Sequence, residues 1–147
     1  MKRATVFLSA LLLIGLFSSS CEKTEGGGGG GIDPSATDPR IIDGFICADV
    51  LDNKPLRIDN EYFVDEYVYL WLSLENVSGS HTVRVLWVDP DDDIVEQKQS
   101  FDSETGLFTL YFWIDTSPTA PTGQWIAEIY IDGNLMRSYT FWLFKEN

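Results

Sequence analysis

The sequence predicts an all-β domain, an antiparallel sandwich of two sheets and about seven strands, and three observations carry that prediction. From Ile41 onward, apolar residues recur in short runs with a period of two, and no stretch shows the 3.6-residue stripe of an amphipathic helix. Turn-forming clusters separate the runs: Asp52-Asn53-Lys54-Pro55, Ser78-Gly79-Ser80, Asp89-Pro90-Asp91-Asp92-Asp93, and residues 117–123 with Pro118 and Pro121. The sharpest local signal is Ile131-Asp132-Gly133-Asn134-Leu135, an Asp-Gly hairpin turn between two apolar runs.

Ahead of this domain stands a different kind of sequence. Lys2 and Arg3 precede an uncharged run from Ala4 to Ser20, which ends in Ser18, Ser19 and Ser20 directly before Cys21. The run is at the short end of what crosses a bilayer and closes on small residues, so residues 1–20 read as a cleaved signal peptide and not as a permanent membrane span. The Ser18-Ser19-Ser20-Cys21 segment resembles the lipid-attachment box of bacterial lipoproteins. That resemblance implies cleavage before Cys21 and acylation of Cys21, with several chains giving a durable anchor. It places the protein in the bacterial cell envelope, outside the cytoplasm, with the membrane as its first partner. An ordinary signal peptidase would accept the same bond, because Ser18 and Ser20 satisfy the small-x-small rule; Cys21 would then be free to pair with Cys47, the only other cysteine.

Residues 21–40 read as a tether. Six consecutive glycines, Gly26 to Gly31, lose more backbone entropy on ordering than any other residue and offer no side chain to offset it. A Gly-rich coil of this length reaches about 24 Å r.m.s., enough to hold a folded head clear of lipid headgroups. A phosphate-cradling loop is the sharper alternative, but the run lacks the Lys-Ser/Thr ending, a preceding strand and a following helix.

Charge narrows the partners. The chain carries 10 basic and 23 acidic residues, and removing Lys2 and Arg3 with the signal leaves 8 against 23, a net of −15. Nucleic acid and anionic lipid surfaces would repel it. The apolar and aromatic content is that of a folded domain, and one domain, residues 41–147, is what the length allows. With Cys21 acylated, Cys47 has no partner and no disulfide scaffold exists.

Within the head, seven strands are predicted over residues 45–51, 66–75, 81–89, 94–100, 107–115, 124–132 and 135–145. Seven short strands in about 100 residues is the pattern of an immunoglobulin-like sandwich. The series Gly123-x-Trp125-x-x-x-Ile129-Tyr130-x-Asp132-Gly133-x-Leu135, closed by Phe141, resembles bacterial extracellular immunoglobulin-like or fibronectin-like modules. The resemblance covers residues 41–147 and implies a fold, not an activity.

Alternation assigns the faces. Val68, Leu70, Leu72 and Leu74 form the inward side of the second strand, leaving Tyr67, Tyr69, Trp71 and Ser73 outward. Phe108, Leu110, Phe112 and Ile114 do the same for the fifth, leaving Thr109, Tyr111 and Trp113 outward. In an immunoglobulin-like topology these two strands are neighbours, so their outward rings form one patch. In the last strand Tyr139, Phe141 and Leu143 point in, while Trp142 and Phe144 point out on the other sheet, where Tyr130 joins them. Trp125, Ile129, Ile131, Val83, Val85 and Trp87 complete the core. Ile46, Ala48 and Val50 form the inward set of the first strand, which turns Cys47 outward; burial or an exposed thiol follows from a register difference of one residue.

Tyr67, Tyr69, Trp71, Tyr111, Trp113 and Trp142 are therefore the candidate binding surface, because flat rings stack on sugar faces or anchor protein interfaces. The competing explanation is that sheets favour aromatics and gain from cross-strand ring pairs. The Asp89–Asp93 segment has alternating carboxylates but lacks the glycine and the closing glutamate of a calcium loop, and reads as a solvated turn. His81, the only histidine, reads as an exposed loop residue without a nucleophile elbow nearby. No catalytic residue, metal site or cofactor is expected. The function expected is a non-enzymatic, membrane-anchored binding or assembly module, its partner a glycan or an envelope protein. The alternatives are a self-associating structural lipoprotein and, more distantly, an envelope hydrolase.

Overall fold

The computed structural model of the chain describes residues 38–146. The expected signal peptide, Cys21 and the glycine run of the expected tether fall on residues 1–37, outside the described residues. The nine strands are β1 (Arg40–Leu51), β2 (Lys54–Ile58), β3 (Glu61–Phe63), β4 (Tyr67–Glu75), β5 (Gly79–Val88), β6 (Ile94–Ser103), β7 (Leu107–Asp115), β8 (Gly123–Ile131) and β9 (Asn134–Phe144). They form two sheets, ordered β2-β1-β4-β7 and β3-β9-β8-β5-β6. All seven expected strands form, and the architecture is an all-β, immunoglobulin-like sandwich with β4 and β7 adjacent in one sheet.

Two strands, β2 and β3, add to the seven expected, and β1 and β6 run longer than alternation predicts. β2 opens on Lys54 and Pro55, residues of the turn cluster, and pairs antiparallel with β1 at the sheet edge, where a proline is tolerated. β3 is three residues long and pairs in parallel with β9, too short to show any periodicity. β1 begins at Arg40, five residues before the expected Phe45, with a register shift between Ile41 and Asp43 that leaves Ile42 as the extra residue of a bulge. Gly44 has a spatial reason: a Cβ there would meet the Tyr139 ring, which lies against this stretch of β1.

The core is where alternation puts it. Val68, Leu70, Leu72, Leu74, Leu110, Phe112 and Ile114 from one sheet meet Val83, Val85, Trp87, Trp125, Ile129, Ile131, Phe141 and Leu143 from the other, all buried. Phe141 is the hub of the rings: Tyr62 and Trp87 meet it edge-on at 6.0 and 6.1 Å, and Trp125 stacks at 6.0 Å. Phe101 of β6 and Phe108 of β7 stack at 4.0 Å, closing the sandwich between the two edge strands.

Gln97 of β6 ties the two sheets at that same side. Its Oε1 accepts from the buried Trp87 indole at 3.1 Å and its Nε2 donates to the Trp113 carbonyl at 2.7 Å. One side chain thus satisfies a core donor and occupies an acceptor on the free edge of β7, blunting an edge that would otherwise template strand pairing.

The turns behave as their residues predict. Asp132 and Gly133 both have positive φ, 50° and 87°, the two-residue turn that suits a twisted hairpin. In the acidic turn, Asp89 Oδ1 accepts from the amides of Asp91 and Asp93 at 2.8 and 2.9 Å, so this carboxylate organises backbone. Among the described residues, no three His, Cys, Asp or Glu side chains converge to hold a metal ion.

Candidate functional site

The outward face of the four-stranded sheet carries the aromatic patch. Register sets Tyr69 opposite Trp113 and Trp71 opposite Tyr111 across β4 and β7. Tyr69 is the centre: its ring lies 6.5 Å from Tyr67, 6.2 Å from Tyr111 and 6.4 Å from Trp113, and Tyr111 lies 6.1 Å from Trp113. These are tilted pairs at distances where rings attract one another. Tyr67, Tyr111 and Trp113 are 50%, 41% and 48% exposed, while Tyr69 is half-buried beneath its neighbours.

The structure separates the other two candidates from this cluster. Trp71 is partly buried: it stacks on Phe45 at 5.9 Å and its indole N–H donates to the Asn53 carbonyl at 2.9 Å. It is a clasp for the β1–β2 turn, with its polar handle already used. Trp142 is 43% exposed but lies on β9, on the outward face of the opposite sheet. Nor does Tyr130 join Trp142 as expected. Trp142 faces Gln124 and Tyr130 faces Leu135, so the two are six residues apart along β8, roughly 20 Å at strand rise. Tyr130 instead receives the Arg84 guanidinium at 4.3 Å over its ring and donates to Glu128 at 2.9 Å.

A feature that alternation could not reveal lies over the patch. β1 pairs with β4 only as far as Cys47, and beyond it pairs with β2 alone. Residues 48–58 form a hairpin arm whose tip, Asn53, returns to Trp71 and borders a hollow of about 240 Å³ shared with Thr109, Tyr111 and Trp113. Between the arm and β4 is a second, larger cleft of about 450 Å³, lined by Ala48, Asp49, Leu56 and Arg57 of the arm and by Glu66, Tyr67 and Tyr69. Arg57 has a left-handed φ of 52°, and its guanidinium lies 3.5 Å from Glu66. The other Glu66 oxygen accepts from the Phe63 amide at 2.9 Å. Burial, with the Asp49 carboxylate as a further contribution, pushes the Tyr69 phenol up, so it remains a neutral donor.

The arm also settles Cys47. Its cross-strand partners are Tyr69 and Ile58, so it points outward as alternation predicts, yet it is fully buried where the arm begins. Burial pushes the thiol up, against the backbone hydrogen bonds at Asp49 and Leu56 that lower it. This is an inert thiol by its surroundings.

His81 is not an exposed loop residue. It lies on β5, partly buried, with Nδ1 2.7 Å from Asp132 Oδ2 and Nε2 3.2 Å from the Ser78 carbonyl. Both contacts are to acceptors, which favours the doubly protonated ring: the hydrogen bond to Asp132 raises its pKa, burial opposes, and Ser78 adds to the rise. Asp132 also accepts from the Thr82 amide at 2.9 Å, pinning the β8–β9 turn to β5. With both nitrogens so engaged, this ring is not placed to take a proton from a nucleophile.

No protein-family model and no curated protein matches the sequence. Among solved structures, the fold is similar to the C-terminal domain of wzt, with a TM-score of 0.57 and 11% identity over 74% of this chain and 75% of that one. It is similar to the Pseudomonas fluorescens alkylpurine DNA glycosylase AlkC bound to DNA containing an abasic site analog, with a TM-score of 0.54 and 12% identity over 71% of this chain. A beta-glucosidase from Listeria innocua matches with a TM-score of 0.50 and 11% identity over 72%. The chain spans 30% of the glycosylase and 16% of the glucosidase. At these identities the likeness is one of fold alone.

Proposed function

We propose that this protein is a non-enzymatic module of the bacterial cell envelope, held to a membrane by acyl chains on Cys21, that presents the Tyr67-Tyr69-Tyr111-Trp113 face to a glycan or envelope-protein partner. The observation that carries the reading is the ring cluster itself. Four aromatics from two adjacent strands gather on the outer face of a sheet whose inner face is already filled with Leu, Val, Phe and Ile. Exposed apolar surface of this kind is costly to leave in water and commonly marks a contact site. The fold belongs to a class that serves binding and structural roles, and the His81 geometry argues against a histidine-driven hydrolase.

The test uses the full chain and a Tyr69→Ala/Trp113→Ala variant, both immobilised and exposed to cell-wall glycans and to native envelope extract. A partner retained by the parent and lost by the variant supports the reading; equal retention contradicts it. Sedimentation of the parent covers self-association, since a stable oligomer that the double variant dissolves would make the face a contact between copies. Intact mass of the membrane-extracted protein tests the anchor: an acyl increment on Cys21 is expected, and its absence overturns that part.

A further inference from the structure

Resting on the reading of this face as a binding surface, we infer that the cleft between the hairpin arm and β4 is a subsite for one residue of a neutral carbohydrate chain, with Tyr67 and Tyr69 as its stacking surface and Asp49, Arg57 and Glu66 as its hydroxyl partners.

Shape separates this cleft from the open sheet beside it. It is a concavity of about 450 Å³, walled on one side by the arm and on the other by β4, within the size range of small-ligand sites. A protein partner exploits a broad apolar platform with a few deep anchors; here three charged side chains, Asp49, Arg57 and Glu66, stand beside two tyrosines, Ala48 and Leu56, and the hollow is too small for a secondary-structure element.

The chemistry of the lining fits a pyranose. One face of such a ring is a patch of C–H groups that packs against an aromatic ring, while its rim is a row of hydroxyls, each both donor and acceptor. Tyr67 and Tyr69 supply the rings, and neither phenol hydroxyl is hydrogen-bonded to another of the described residues. Asp49 and Glu66 supply acceptors, and Arg57 supplies several donors in a planar fork. The carboxylates are only partly committed: one Asp49 oxygen accepts from the Val50 amide at 2.8 Å, and Glu66 is shared between Phe63 and Arg57.

Charge selects the kind of sugar. Two carboxylates against one guanidinium leave the lining net negative, and the whole chain is at −13. Uronic or other acidic sugars meet repulsion both at the cleft and at long range, whereas neutral hexoses and pentoses meet none. Arg57 is held in a left-handed conformation that carries a cost for a residue with a Cβ, and it aims at Glu66 across the cleft.

The experiment is titration of the full chain with a panel of neutral hexasaccharides (cello-, laminari-, malto- and xylohexaose) and with oligogalacturonate as the anionic probe, followed by calorimetry. Four proteins are compared: the parent, Asp49→Ala, Tyr67→Ala and Trp113→Ala. The expected result is saturable binding of at least one neutral hexasaccharide, weaker by tenfold or more in Asp49→Ala and in Tyr67→Ala, with oligogalacturonate at least tenfold weaker than the neutral chain. Circular dichroism and melting of each variant show that it is folded, and both cleft positions are exposed side chains. Binding lost in Trp113→Ala but kept in the two cleft variants would overturn the subsite while leaving the face reading intact. Retention of an envelope protein by the face, with no neutral sugar bound, would do the same. No binding of any probe by the parent, with no partner retained by the face, would overturn both.

Discussion

Tyr69 and Trp113 stand directly opposite each other across β4 and β7, with ring centroids 6.4 Å apart, on the side of the sheet that faces away from the core. Their neighbours one residue along, Leu70 and Phe112, are opposite each other on the inner side and buried. One pair of strands therefore carries two unrelated surfaces, one that holds the fold and one that is free for contact. Trp113→Ala should cost less than about 1 kcal/mol, since cross-strand ring pairs are worth that order. Leu70→Ala should cost about 2–5 kcal/mol for the cavity it leaves. Urea unfolding of the two variants checks the contrast; equal losses would mean that Trp113 serves the fold.

Gln97 should matter more than its partial exposure suggests. Gln97→Ala leaves the Trp87 indole N–H buried without its acceptor, at a cost of about 1–3 kcal/mol. Replacing Trp87 with Phe in the same background removes the orphaned donor and should show a coupling of the order of 1 kcal/mol in a double-mutant cycle. The variant also uncaps the Trp113 carbonyl on the β7 edge, so light scattering should detect more association than in the parent.

The His81–Asp132 pair sets a pH window. The folded pKa of His81 lies above its ordinary 6.5, mainly through the Asp132 hydrogen bond, so its contribution is complete below that value and is lost as pH rises through the folded pKa. Burial raises Asp132, but the hydrogen bonds from His81 and the Thr82 amide outweigh it and hold its pKa below 3.8. Its contribution is present above 3.8 and lost as pH falls through the folded value. The pair therefore stabilises most between these limits. Melting temperature followed from pH 5 to 8.5 should fall more in the parent than in His81→Gln; parallel curves would contradict the pairing.

Cys47 should resist a thiol reagent in the folded protein. Reaction with an aromatic disulfide at pH 8 is expected to be about a hundredfold or more slower than in urea, because the thiol must wait for local opening of the arm. Peptide mapping assigns the label to Cys47. Prompt native labelling would mean that the arm does not seal it.

Legibility in the sequence followed the range of the interaction. The faces of β4 and β7 were readable because alternation is a local rule with nine residues of signal in each strand. The Asp132-Gly133 turn was readable because its dihedrals demand those residues. β2 and β3 were not: five residues with a proline, and three with no period, take their conformation from β1 and β9. The roles of His81 and Trp71 rest on partners 51 and 18 residues away in sequence, which no local pattern contains. The cleft is the most distant inference of all, since it exists only because β1 leaves β4 at Cys47 and carries Asp49 and Arg57 over rings that alternation alone would leave open.

The two half-exposed tryptophans on opposite sheets give the most direct test of the central claim. With the full chain labelled at the indole nitrogen, Trp113 and Trp142 report separately on the two outward faces. Titration with the retained partner should shift the Trp113 indole resonance and leave that of Trp142 in place. A shift confined to Trp142 would move the contact to the β9 face and contradict the account.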